Sequence, residues 1–131
     1  MAKLIHTMIR VLDLERSMRF YDAAFGLRPS HRVDFPDFTL VYLRNDESDF
    51  ELELTFNKGR EQVYTHGDGY GHVAVAVDDL EAEHERMQAA GLGPGPIKEM
   101  YSGERLLARF YFMLDPDAYK IEVLQRQGHY Q

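Results

Sequence analysis

Two stretches of the chain alternate apolar and polar positions with a period of two, Ile5 to Val11 and Val73 to Val77, which marks strands packed on one face. A helix signal follows each. Asp13 stands where an N-cap is needed, Leu14, Met18, Tyr21 and Phe25 recur at helical spacing, and Gly26 suits the left-handed residue that ends a helix. Asp79, Leu80, Met87, Ala90 and Gly91 repeat that order. Strand-like runs come next, Phe38 to Arg44 and Phe50 to Asn57 in the first half, Leu106 to Leu114 and Tyr119 to Gln125 in the second, separated by polar or Pro-Asp turns such as Asp115-Pro116-Asp117. The expected order is βαβββ, twice, one strand more in each half than these runs locate.

The duplication is also visible residue by residue. HTMIRVLDLE begins at His6 and HVAVAVDDLE at His72, 66 residues apart. A Gly-Leu pair follows in each half (Gly26-Leu27, Gly91-Leu92), and each half closes on a strand with a glutamate, Glu53 lying 47 residues after His6 and Glu122 50 residues after His72. Neither half is long enough for a stable core alone. The expectation is one domain over 1–131, with a first module over about 1–60, a linker over about 61–69 and a second module over about 70–127. The fold class is α+β.

Alternation decides where the polar residues of these strands point. His6, Met8 and Arg10 share one face of the first strand, opposite Ile5, Thr7, Ile9 and Val11. Phe50, Leu52, Leu54 and Phe56 form a packing face and leave Glu51, Glu53, Thr55 and Asn57 opposite. In the second module Val73, Val75, Val77, Ile121 and Val123 pack, so His72 and Glu122 look away from the helix. Two polar concave sheets are expected. A single strand histidine or glutamate means little, but a histidine early and a glutamate late in each repeat, all on the unpacked face, point to a metal site formed by His6, Glu53, His72 and Glu122. His31, His66, His84 and His129 lack that placement and are expected at the surface. Two imidazoles and two carboxylates suit Ni²⁺, Co²⁺, Mn²⁺, Fe²⁺ or Zn²⁺ better than Ca²⁺ or Mg²⁺. An octahedral ion with four protein ligands keeps two open positions, the mark of catalysis.

Composition narrows the chemistry further. The chain has no cysteine, which excludes a disulfide, a thiolate ligand and a thiol nucleophile. A formal net charge of -7 argues against nucleic acid as a partner. No leader or membrane-spanning run is visible, so a cytoplasmic protein is expected.

The chain resembles the glyoxalase I (lactoylglutathione lyase) enzymes of the vicinal oxygen chelate superfamily, especially their short bacterial form. The matching stretches are LIHTMIRVLDLERSMRFYDAAFGL at the start, ELELTFNKG from Glu51, YGHVAVAVDDL from Tyr70 and DPDAYKIEVLQ from Asp115. The resemblance implies a paired βαβββ fold in a homodimer that shares its domains, where His6 and Glu53 of one subunit join His72 and Glu122 of the other around one Ni, Co or Zn ion. It implies a lyase for methylglyoxal detoxification, acting on the hemithioacetal of glutathione and a 2-oxoaldehyde. By the same resemblance Glu122 would be the base that takes the C1 proton before one returns to C2, Glu53 would be the second carboxylate, and Arg10 and Asn57 would contact glutathione. Two departures stand out. Where the relatives carry a Lys-Gly-Gly-Thr-like segment and then small and apolar residues, this chain has Ser102-Gly103-Glu104-Arg105 and then Arg109. That change implies a lost carboxylate anchor and added bulk near the pocket. Their DPDGYKIE turn reads DPDAYKIE, and Ala118 for glycine reads as a slight change. The rival readings are a thiol transferase or dioxygenase on the same fold, and a non-catalytic binding or resistance protein.

Overall fold

A computed structural model describes all 131 residues, which divide into two compact units, Met1–Thr65 and His66–Gln131. The first runs β1 (His6–Val11), α1 (Leu14–Phe25), β2 (Arg28–Asp34), β3 (Phe38–Arg44) and β4 (Glu51–Asn57). The second runs β5 (Val73–Val77), α2 (Leu80–Ala89), β6 (Lys98–Ser102), β7 (Arg105–Leu114) and β8 (Lys120–Gln125). Both are βαβββ, as expected. Their sheets have matching orders, β1-β4-β3-β2 and β5-β8-β7-β6, in which the first strand of each unit pairs parallel with the last.

Local chemistry explains the helix ends. The Asp13 carboxylate accepts from the backbone N–H of Arg16, and the Asp79 carboxylate from that of Ala82, both at 3.0 Å; such a cap stabilises a helix by about 1 kcal/mol. Gly26 ends α1 in the left-handed region at φ 63°. The buried stripe of α1 is Leu14, Ser17, Phe20, Tyr21 and Ala24, with Met18 and Phe25 only half-buried. The expected stripe was thus rotated, because small Ser17 and Ala24 let the helix lie close. The other half of this unit's core is Ile9, Val11, Val41, Leu43, Leu52 and Leu54. Phe50 lies before β4 and is 41% exposed, so it is not part of the packing face.

In the second unit α2 buries only Leu80 and Met87. Ala90 lies beyond the helix and is exposed, with Gly91 in the left-handed region at φ 72°. Tyr111, Met113, Ile121 and Val123 form the sheet's buried apolar face. The Tyr111 hydroxyl is buried without a hydrogen-bond partner, and burial pushes its phenol up to about 12. Two histidines expected at the surface are structural instead. His84 Nε2 lies 2.7 Å from the Gly95 carbonyl oxygen, and His66 stacks on Tyr119 with ring centroids 4.0 Å apart. His31 and His129 are exposed, as expected.

The change at Ala118 is not slight. The Asp115 carboxylate, 5% exposed, accepts from the backbone N–H groups of Asp117 and Tyr119, both at 2.9 Å. That turn leaves Ala118 at φ 66°, the one residue other than glycine with a positive φ, where a Cβ costs roughly 1–2 kcal/mol. No helix is long and apolar enough to cross a membrane.

Candidate metal centre

Parallel pairing places the first and last strands of each unit side by side, so side chains of matching parity share a face. In the first unit Met8 is opposite Glu53 and Arg10 opposite Thr55. His6 reaches from the start of β1, and its Nε2 lies 3.7 Å from Glu53 Oε1. In the second unit Ala74 is opposite Glu122, and Nε2 of His72, the residue just before β5, lies 3.6 Å from Glu122 Oε1. Both separations exceed a hydrogen bond. Two ligands of one cation at the usual bond lengths stand about 3.0–3.4 Å apart, a few tenths of an ångström closer. In both pairs the carboxylate is the more buried member and the imidazole the more exposed, with side-chain exposures of 11% for Glu53 against 35% for His6 and 16% for Glu122 against 40% for His72. Nitrogen and oxygen donors in this arrangement fit a borderline divalent cation. Within each unit the pair stands alone, with no third His, Cys, Asp or Glu completing a cluster.

The surroundings of the two pairs differ. Glu53 is buried among polar neighbours: the Thr55 hydroxyl lies 3.4 Å from Oε2, and Tyr42 stands opposite Glu53 across β3 and β4, where the carboxylate pushes the Tyr42 phenol up from its ordinary value. Glu51, the other carboxylate on this face, accepts a hydrogen bond from the Ser30 hydroxyl. Arg10 is exposed on the same face. Asn57 ends β4 half-buried and donates through Nδ2 to the Tyr64 hydroxyl at 3.0 Å. The second face carries Ala74, Ala76, Phe110, Phe112 and Leu124 around Glu122. Lys120, whose Nζ lies 4.0 Å from the Phe112 ring centroid, and Lys98, paired with Phe110, add positive charge. The first face is polar, as expected; the second is largely apolar, because Phe110, Phe112 and Leu124 join Ala74 and Ala76, which alternation already set on this face.

Both parts of the Ser102 to Arg109 departure have a structural place. Gly103 and Glu104 form the tip of the β6–β7 hairpin, with Ser102 paired to Arg105 and Gly103 at φ 60°. Arg109 is of the same parity as buried Tyr111 and ion-pairs with Glu81 on α2 and, at 3.6 Å, with Glu99 on β6. It lies on the helix side of the sheet and adds no bulk to the ligand face. The residue that motif reading missed is Tyr42, although the alternation of β3, with Val41 and Leu43 buried, already sets it on the face with Glu53.

A duplicated βαβββ unit with one His–Glu pair on each uncovered sheet face defines the class. The chain belongs to the glyoxalase/bleomycin resistance protein/dioxygenase superfamily, whose family model matches residues 3–123. It is 39% identical to a lactoylglutathione lyase of Haemophilus influenzae over 96% of this chain and 94% of that protein. It is 41% identical to a lactoylglutathione lyase of Neisseria meningitidis serogroup A over 96% and 92%. Among solved structures it is similar to the trypanothione-dependent glyoxalase I of Leishmania major, with a TM-score of 0.75, 35% identity and coverage of 95% of this chain and 87% of that one.

Proposed function

We propose that this protein is a lactoylglutathione lyase, which isomerises the hemithioacetal of glutathione and methylglyoxal to S-lactoylglutathione in the cytoplasm. The observation that carries the reading is the repeated His–Glu pair on the uncovered face of each unit, in a chain whose relatives over nearly its full length are lactoylglutathione lyases. The two units are read as halves of one domain, and His6 and Glu53 of one subunit as joining His72 and Glu122 of another in a homodimer. Each unit supplying a single pair supports that assembly.

These four residues would hold a divalent transition metal, which would supply Lewis acidity to the reaction. The protein's own part begins with binding. Arg10 stands exposed on the first ligand face, where its planar fork suits a substrate carboxylate; Asn57, steadied by Tyr64, adds an amide contact. Glu122 takes the proton from C1, and a proton returned to C2 completes the isomerisation with no net oxidation or reduction. Its apolar surroundings, Phe112 and Ala74, limit water around the carboxylate during the transfer. Glu53, with the Thr55 hydroxyl 3.4 Å from its carboxylate, serves as the second carboxylate.

The test is thioester formation from methylglyoxal with glutathione, and separately with trypanothione, after loading the protein with Ni²⁺, Co²⁺ or Zn²⁺. Activity with glutathione is the expected result. Metal bound stoichiometrically without thioester from either thiol would overturn the lyase reading and favour a binding protein; activity with trypanothione alone would overturn the choice of thiol.

A further inference from the structure

The second ligand face carries a cation that the metal-centre reading leaves without a task. Lys120 opens β8 two residues before Glu122, on the same face and exposed. Its backbone is fixed, since the Tyr70 hydroxyl donates to the Lys120 carbonyl oxygen at 2.9 Å. Arg86, Arg109 and Arg126 of the same unit each pair with a carboxylate, on Glu83, Glu81 and Asp78. The Lys120 ammonium pairs with none and rests on the Phe112 ring, 4.0 Å from its centroid. That ring stands edge-on to His72 with 5.7 Å between centroids, so Nζ lies within about 10 Å of the imidazole. Phe112 and Lys120 also line a cavity of about 250 Å³ with Leu92, Gly93, Gly95 and Leu114. Its wall depends on a missing side chain: Gly95 donates its N–H to the Phe112 carbonyl oxygen at 2.8 Å, and a Cβ at Gly95 would stand 3.0 Å from that oxygen.

We propose that Lys120 and this cavity form a subsite for a carboxylate on the aldehyde half of the substrate, which extends the range of the protein from methylglyoxal to 2-oxoaldehydes with an acidic tail. The inference rests on the function proposed above, in which the carbons that exchange the proton stand beside Glu122 and Arg10 meets a carboxylate of the thiol. A methyl group needs about the room of one water, roughly 30 Å³, far less than this cavity offers. A tail of two methylenes and a carboxylate is about as long as one extended residue, roughly 3.5 Å, and a charge-assisted hydrogen bond adds about 2.8 Å. A carbon held at the His72–Glu122 pair therefore brings such a tail within reach of Nζ. Phe112, Leu92 and Leu114 cover the methylenes, and the ammonium meets the charge. Lys98, the other cation of this face, lies on the edge strand away from β5, paired with Phe110. The chemistry is unchanged. A proton leaves C1 and one arrives at C2, C1 becomes the thioester carbonyl and C2 the alcohol, and the tail takes no part, so the product is a hydroxyacyl thioester with a terminal carboxylate.

The test gives the metal-loaded protein two glutathione hemithioacetals, one from a 2-oxoaldehyde with a propanoate tail and one from a 2-oxoaldehyde with a propyl tail of equal length. In the parent, kcat/KM should favour the propanoate tail about three- to tenfold, the range of one net hydrogen bond. Lys120→Met should abolish the preference and leave metal content as in the parent. Equal values for the two tails in the parent overturn the proposal, as does a preference that survives Lys120→Met or is removed by Lys98→Met instead. A Lys120→Met variant that slows methylglyoxal and both tails alike also overturns it, and assigns Lys120 to the thiol or to packing on Phe112. Calorimetry separates the subsite from the lyase reading. S-carboxybutylglutathione should bind the parent more tightly than S-pentylglutathione by a similar factor, and Lys120→Met should remove the difference. A parent that makes no thioester from methylglyoxal overturns the proposed function and the substrate range with it, whereas an active parent with no calorimetric preference overturns the subsite alone.

Discussion

On the first sheet Glu53 lies among Tyr42, Thr55 and Arg10, and on the second Glu122 lies among Phe112, Ala74 and Ala76. The histidine to carboxylate separations nonetheless agree to 0.1 Å, at 3.7 and 3.6 Å. Counting from each histidine, Met8 and Arg10 correspond to Ala74 and Ala76. The duplication has preserved a His–Glu pair on each sheet face, the donors that the proposed metal centre requires, and has let the side chains around them diverge. Under the proposed function, one face would recognise charge and the other exclude water, a division that two identical faces could not offer to an asymmetric substrate.

The largest test of that division is Glu122→Gln. Removing a general base costs about 10²- to 10⁴-fold in rate, so kcat with methylglyoxal and glutathione should fall by that much. A Gln variant retaining more than a tenth of the parent kcat would reassign the base. Next is Arg10→Met, which keeps most of the stem and removes the fork. A lost charge-assisted contact costs roughly 1.5–3 kcal/mol, or about one to two orders of magnitude in kcat/KM, with metal content unchanged. Steady-state kinetics beside elemental analysis decide it, since lost metal would make Arg10 structural. A smaller effect concerns stability. Ala118→Gly relieves a left-handed alanine but adds freedom to the unfolded chain, for a net gain of about 1 kcal/mol. Urea unfolding should show the gain, and equal or lower stability would mean that the turn holds alanine without strain.

The smallest effect is pH-dependent. The Arg109 guanidinium holds the Glu81 carboxyl below its ordinary range. A lowered carboxyl contributes stability above the unfolded value, and that contribution fades as pH falls through the folded one. Glu81→Gln should therefore be slightly less stable than the parent near neutrality, by the small amount typical of exposed pairs, and equal to it in acid. A difference that grew on acidification would carry the wrong sign. The first unit offers a parallel at Asp34, whose carboxyl the Arg32 hydrogen bond lowers.

Much of this architecture was legible in the sequence. Period-two alternation located β1 and β5, Asp13 and Asp79 marked the helix starts, and the repeat brought His6, Glu53, His72 and Glu122 onto unpacked faces. What was hidden has identifiable causes. β2 reads RPSHRVD and β6 reads KEMYS, nearly all exposed, so as edge strands they carry no buried face to impose alternation. Tyr42 escaped notice because a tyrosine among apolar neighbours reads as core. Only the pairing of β3 with β4 sets it against Glu53. Arg109 misled for a related reason: its parity was knowable, but its partner Glu81 lies 28 residues away on a helix. Ala118 reads as an ordinary substitution until the backbone shows the sign of its φ.

The parallel pairing within each unit also bears on how the protein matures. His6 and Glu53 belong to the first and last strands of one unit, as His72 and Glu122 belong to the ends of the other. A nascent chain therefore exposes an imidazole long before the matching carboxylate has been synthesised, and parallel contacts at such separation form late in folding. Neither half-site exists until its whole unit has closed. If the proposed metal centre forms, a cation that binds only the finished arrangement would stabilise it by about 2.7 kcal/mol at a hundredfold excess over Kd, so loading would select completed chains, and metal starvation should show as faster turnover of newly made protein.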